Sequence, residues 1–93
     1  MNEVSHFMAD QKYVSAFSHG REIVIDDSLK KLEQEFPGRF LKIHRNCLVA
    51  TSYIEGLVRD NAGKSAICLR EVEAALPVSR RHLPRVKKVL KTL

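Results

Sequence analysis

No apolar run in this chain of 93 residues is longer than four, the length of Cys47-Leu48-Val49-Ala50, and polar or turn-forming residues break the pattern every few positions. A helix that spans a bilayer needs roughly 20 apolar residues in succession, so no segment is expected to cross a membrane. Short segments of β-favouring residues, bounded by Gly, Pro, Asn and Asp, instead predict many short strands joined by tight turns. Apolar residues make up 44% of the chain and charged residues 29%, ordinary fractions that predict a globular fold rather than disorder. A chain this short has room for one core, so residues 1–93 read as one domain.

Val4 to Met8 and Tyr13 to Phe17 read as strands connected by Ala9-Asp10-Gln11-Lys12. His19-Gly20 makes a hairpin-like break before a strand at Glu22-Ile23-Val24-Ile25. Asp26-Asp27-Ser28 supplies capping side chains to a helix on which Leu29, Leu32 and Phe36 repeat at helical spacing, and Pro37-Gly38 stops it. Phe40 to Ile43 and Cys47 to Ala50 are strands separated by His44-Arg45-Asn46. Tyr53 to Val58 reads as strand, although Ile54, Leu57 and Val58 also suit a helix. Asp60 to Gly63 signals a turn, Ser65 to Arg70 a strand, and Ala75 to Val78 a last short strand in spite of Pro77. Leu83, Val86, Leu90 and Leu93 then fall at i, i+3, i+7 and i+10, which predicts an amphipathic terminal helix. The expected fold class is mainly β with α+β character, short strands with one inner helix and a C-terminal helix.

Charge is distributed unevenly. Residues 1–78 hold 10 Lys+Arg and 11 acids, a balance of −1, whereas the last fifteen carry six cations and no acid: Arg80, Arg81, Arg85, Lys87, Lys88 and Lys91. A second acid-free stretch runs Arg39, Lys42, His44, Arg45. Segments of one sign attract polyanions, nucleic acid or an anionic membrane surface first among them. For Lys87, Lys88 and Lys91 a plain alternative exists, since cations suit the C-terminal end of a helix.

Two constellations stand out. Arg80 and Arg81 precede the terminal helix, where cations cost about 0.3–1 kcal/mol each against the helix dipole. Ser79 can cap and Pro84 favours the first helical position, which leaves Ser79-Arg80-Arg81-His82 as a turn fitted to phosphate or to guanine edges. The competing reading is a solvated arginine pair bridging Glu71 or Glu73. His44-Arg45-Asn46 interrupts the apolar run from Phe40 to Ala50, and Arg and Asn are the side chains that read guanine and adenine bidentately. Strict alternation cannot bury all three, so at least one projects from the connection; His44 alone is equally well a core histidine bonded to backbone.

Catalytic readings find little support. Cys47 lies three positions after His44 without a third orienting group, and Cys47 and Cys68, flanked by apolar residues, read as small buried hydrophobes. The two Cys make no disulfide framework, and the start lacks a secretory signal, so a reducing, cytoplasmic setting is expected. His6, His19, His44 and His82 show no metal-ligand spacing, Asp26-Asp27 is better read as a cap than as acid–base machinery, and no Gly-rich phosphate loop is present. The expectation is no enzyme, no cofactor, no metal and no small-molecule substrate.

Phe40-Leu41-Lys42-Ile43-His44-Arg45-Asn46-Cys47-Leu48-Val49, followed by Leu76-Pro77-Val78-Ser79-Arg80-Arg81, resembles the paired signature of the LytTR DNA-binding domain. Asp10-Gln11-Lys12-Tyr13-Val14 resembles that family's early strand entry, and Ser28-Leu29-Lys30-Lys31-Leu32 its inner helix. Among subfamilies the chain looks most like the output domain of AlgR-type response regulators. Asn46 stands where many members have Ser. The resemblance implies an elongated, mostly antiparallel β domain whose loops enter successive major grooves of double-stranded promoter DNA at direct-repeat sites and bend it. By motif position it places Lys12, His44, Arg45, Asn46, Arg80 and Arg81 against DNA. It also implies an upstream receiver domain in the full-length two-component transcriptional regulator, with dimerisation on DNA as a further possibility. The alternative function is an anionic membrane-surface or protein-interaction module that uses the basic C-terminal helix, whose Leu83, Val86 and Leu90 could lie on lipid or on a partner.

Overall fold

Every segment read as a strand overlaps one in the structure, a computed structural model that describes residues 4–92. Chain order runs β1 (His6–Ala9), β2 (Val14–Ser18), β3 (Arg21–Ile25), α1 (Leu29–Glu35), β4 (Phe40–His44) and β5 (Cys47–Ala50). A 3₁₀ turn (Thr51–Tyr53) leads into β6 (Ile54–Arg59), then β7 (Ser65–Leu69), β8 (Leu76–Pro77) and α2 (Leu83–Leu90). Two antiparallel sheets result, one in the order β3-β2-β1-β5-β4 and one in the order β6-β7-β8. The molecule measures 34 × 24 × 24 Å along its principal axes, and the mainly β, antiparallel fold class with two helices is the one expected.

Position in the sheet explains the composition of each strand. β5 lies between β1 and β4 and all four of its residues are buried, so an unbroken apolar run is what its place requires. At the opposite edge, β3 is nearly all exposed; Ile23 and Val24 show 50% and 57% of their surface. Its neighbour β2 sends Ser15 Oγ to donate to Glu22 Oε2 at 2.7 Å.

Helix α1 packs on β1, β4 and β5. It begins where Ser28 Oγ accepts from the Lys31 amide at 3.1 Å, the side-chain cap expected of that position. Leu29 and Leu32 point inward, and Phe36 meets Phe40 edge-on at 5.9 Å, as Phe40 meets Phe7 at 5.0 Å. α2 packs on β4 through Val86, which is fully buried, with Leu83, Val89 and Leu90 half-buried beside it. Leu93, the last apolar position predicted for this helix, lies outside the described residues. Among the described residues no helix is long and apolar enough to cross a membrane.

Three expectations need correction. Pro84 occupies the second helical position, not the first, and His82 is the capping residue, without a side-chain cap bond. Ser79 does not cap α2: its hydroxyl meets His82 Nδ1 at 2.6 Å while its carbonyl accepts from the amides of His82 and Leu83, both at 3.1 Å. The last strand shrinks to Leu76–Pro77, because an edge strand tolerates a residue without an amide N–H for only a short pairing.

Candidate nucleic-acid interface

Antiparallel strands return the chain to the same end of the sheet, and this places the connections that the sequence singled out. β1 leaves through a turn in which the Asp10 amide donates to the Tyr13 carbonyl at 2.8 Å, with Lys12 exposed. β5 pairs with β1 through Met8 opposite Cys47, so the β4–β5 connection stands next to that turn. The Ala9 amide donates to the Asn46 carbonyl at 2.8 Å and fixes the two together.

The β4–β5 connection is a two-residue turn, Arg45-Asn46, closed by the pair His44–Cys47, and both turn residues are exposed. Register shifts between Lys42 and His44, so Ile43 is an extra residue in β4. Such a bulge re-aims side chains and frees a backbone group from the ladder. Here Ile43 is fully buried and its carbonyl accepts from the Ser79 amide at 2.9 Å. The bulge thereby holds the turn that carries Arg80 and Arg81, both exposed, beside the turn that carries Arg45 and Asn46.

His44 is half-buried, and its Nδ1 accepts from the Asn46 amide at 3.3 Å, which leaves Nε2 as a donor in the neutral ring. Its backbone-bonded role and its place beside the turn therefore coexist. Met8, Ala9, His44, Asn46, Cys47, Leu76 and Pro77 enclose a cavity of about 130 Å³ at this junction. Burial in this region, followed by the positive charges of Lys42, Arg81 and His44, lowers the pKa of His82 below its ordinary value, with Glu33 opposing. The Ser79 hydroxyl and His82 Nδ1 share a hydrogen bond at 2.6 Å.

Not every predicted cation gathers there. Arg39 precedes β4 and so sits at its far end, roughly 17 Å away for a strand of this length; with Gly38, Thr51 and Ser52 it lines a separate cavity of about 370 Å³. The acid-free stretch from Arg39 to Arg45 is thus divided between two ends. Lys12 is at the right end but on its acidic side, lining a cavity of about 290 Å³ with Asp10, Asp26 and Asp27. Arg80 and Arg81 form no ion pair with Glu71 or Glu73 among the described residues; Glu71 faces His19 at 3.7 Å.

Two exposed cations escaped the sequence reading. Arg59 and Lys64 flank the β6–β7 turn and, with Arg80, line a groove of about 450 Å³. The available signal was a turn sequence, Asp60 to Gly63, bracketed by two cations.

Competing chemistries fit less well. Burial pushes the Cys47 thiol up to about 12, the opposite of what a nucleophilic thiolate requires. Among the described residues no group of His, Cys, Asp and Glu could hold a metal ion. The apolar side of α2 is taken up by its own core, which leaves the helix its exposed cations but little free apolar surface for lipid.

Residues 1–91 match the family described as the LytTr DNA-binding domain. Over 94 aligned positions the chain is 43% identical to the positive alginate biosynthesis regulatory protein of Pseudomonas aeruginosa; the match takes in 100% of this chain and 38% of that protein. A solved LytTr DNA-binding domain from Bacillus cereus superposes with a TM-score of 0.83 at 21% identity, covering 96% of this chain and 82% of that one, which is a likeness of fold.

Proposed function

The chain belongs to the LytTr DNA-binding domain family, and from that premise we propose that it binds double-stranded promoter DNA by sequence, as the output domain of a bacterial response regulator and without catalysis or cofactor. The observation that carries this reading is the junction of turns at one end of the sheet, held by the Ala9–Asn46 and Ser79–Ile43 backbone bonds. Arg45 and Asn46 offer the two bidentate base-reading side chains, and Arg80 and Arg81 offer guanidiniums for bases or phosphates. His44 supplies a donor from Nε2, and Lys12 a phosphate contact at the margin. Turns rather than a helix would enter the major groove, since α2 is packed on β4 and only its cationic side is free.

The chain spans 38% of the length of its Pseudomonas relative. For the full-length protein we propose an upstream receiver domain, cytoplasmic action, binding to direct repeats with bending of the duplex, and dimerisation on DNA.

The test is a fluorescence-anisotropy titration against a randomised duplex pool and its selected winner at two salt concentrations. Enrichment of a motif whose preference survives the higher salt is expected, because base contacts add to a phosphate term that falls with log salt at a slope of about −0.9 per neutralised phosphate. Equal, steeply salt-sensitive binding to every duplex would overturn sequence recognition.

A further inference from the structure

We propose that the β6–β7 hairpin is part of a phosphate clamp, in which Arg59, Lys64 and Arg80, the cations that line one groove, hold a single DNA phosphodiester beside the segment occupied by the Arg45 turn. The inference rests on the DNA-binding reading and extends it to a hairpin outside both signature segments.

The groove of about 450 Å³ is lined by these three cations and by no acid, Asn or Gln. It therefore offers positive charge without the amide pair that reads adenine or the carboxylate that reads cytosine. No described ion pair engages Arg59, Lys64 or Arg80. The adjacent Asp60 does not line the groove and is held in the tip of the hairpin, where its Oδ1 accepts from the amides of Ala62 and Lys64, both at 2.9 Å. Those bonds, with Asp60 N to Lys64 O at 2.9 Å and Gly63 N to Asp60 O at 3.0 Å, close the tip of the hairpin on itself. Its position relative to Arg80 is also fixed. Arg59 pairs with Ser65, the Ser65 carbonyl accepts from the Val78 amide at 3.0 Å, and Val78 runs directly into Ser79 and Arg80. Three like charges converge on one groove through short backbone links, which is the arrangement that an anion relieves.

Variants Arg59→Ala, Lys64→Gln and the pair together would be titrated, with the parent, against the selected duplex and a scrambled duplex between 50 and 200 mM salt. For loss of one phosphate contact the slope of log K against log salt should become shallower by about 0.9, and affinity at 0.1 M salt should fall roughly eightfold on both duplexes alike. Urea midpoints equal to the parent's would show that the fold is intact, and Lys64→Gln, at an exposed turn, covers the case in which the double variant fails to fold. An unchanged slope, or a loss confined to the selected duplex, would overturn the clamp while leaving DNA recognition standing. A parent that binds no duplex would overturn both.

Discussion

Two hairpins of the five-stranded sheet each turn in two residues and do so by opposite means. Between β2 and β3, His19 and Gly20 take positive φ, 50° and 78°. That is the turn type whose twist matches the strands, and the pairing on either side runs without a slip. Between β4 and β5 the turn residues are Arg45 and Asn46, neither has positive φ, and the register slips at Ile43. The first turn meets the geometry with glycine, which leaves no side chain at that position. The second carries two recognition side chains and recovers the strand twist through a bulge, whose freed carbonyl then anchors Ser79. The departure from ideal hairpin geometry lies where the proposed chemistry lies.

The contrast can be broken at several levels. The largest effect should come from the strands themselves. Leu48→Ala in buried β5 should cost about 2–5 kcal/mol by urea unfolding, whereas Val24→Ala in exposed β3 should cost less than about 1 kcal/mol; equal costs would contradict the difference between a buried hairpin and one with an exposed outer strand. For DNA, Arg45→Ala should lose about 1–3 kcal/mol of binding to the selected duplex and relax preference at one position, whereas Arg80→Ala, which removes a phosphate contact, should weaken binding to the selected and scrambled duplexes alike. Arg21→Ala in the other hairpin should bind like the parent, and a comparable loss there would remove the distinction. At the turns, Gly20→Ala, forced to keep a φ of 78°, should destabilise by about 1 kcal/mol, while Asn46→Ala should alter stability by less than about 0.5 kcal/mol.

The smallest effect concerns protons. Burial lowers the pKa of His6, stacked on Phe17 at 4.4 Å, below its ordinary 6.5, and His82 is lowered as well. As pH falls through about 6.5 the unfolded chain takes up these protons before the folded one does, so stability is flat above that pH and declines below it. Urea midpoints at pH 7.5 and 5.5 should show the decline, and ring resonances of both histidines should titrate below 6.5. Midpoints rising at the lower pH would contradict the assignment.

Much of this molecule was legible in the sequence because local signals and tertiary demands agree. Ser28 caps α1, His19-Gly20 turns, and the run from Cys47 to Ala50 is buried on both faces. Where they failed, the deciding contact is remote in sequence. Nothing near Ser79 announces that its amide bonds to Ile43, and without that bond its hydroxyl reads as a helix cap. The bulge at Ile43 has no glycine to signal it. Arg39 and Arg45 look like one basic stretch until a strand separates them, and Arg59 and Lys64 become neighbours of Arg80 only through the pairing of β7 with β8. Roles at the interface came from motif resemblance and side-chain chemistry, and the structure adds the placement of those residues.

The central claim, that the turns at one end of the sheet form a single DNA-binding surface, is tested most directly by following backbone amide and arginine side-chain NMR signals during titration with the selected duplex. Coordinated shifts at Lys12, Arg45, Asn46, Arg80 and Arg81, with His19, Gly20 and Arg39 unmoved, are the predicted result. Shifts centred on the His19-Gly20 end, or confined to the exposed cations of α2, would contradict it.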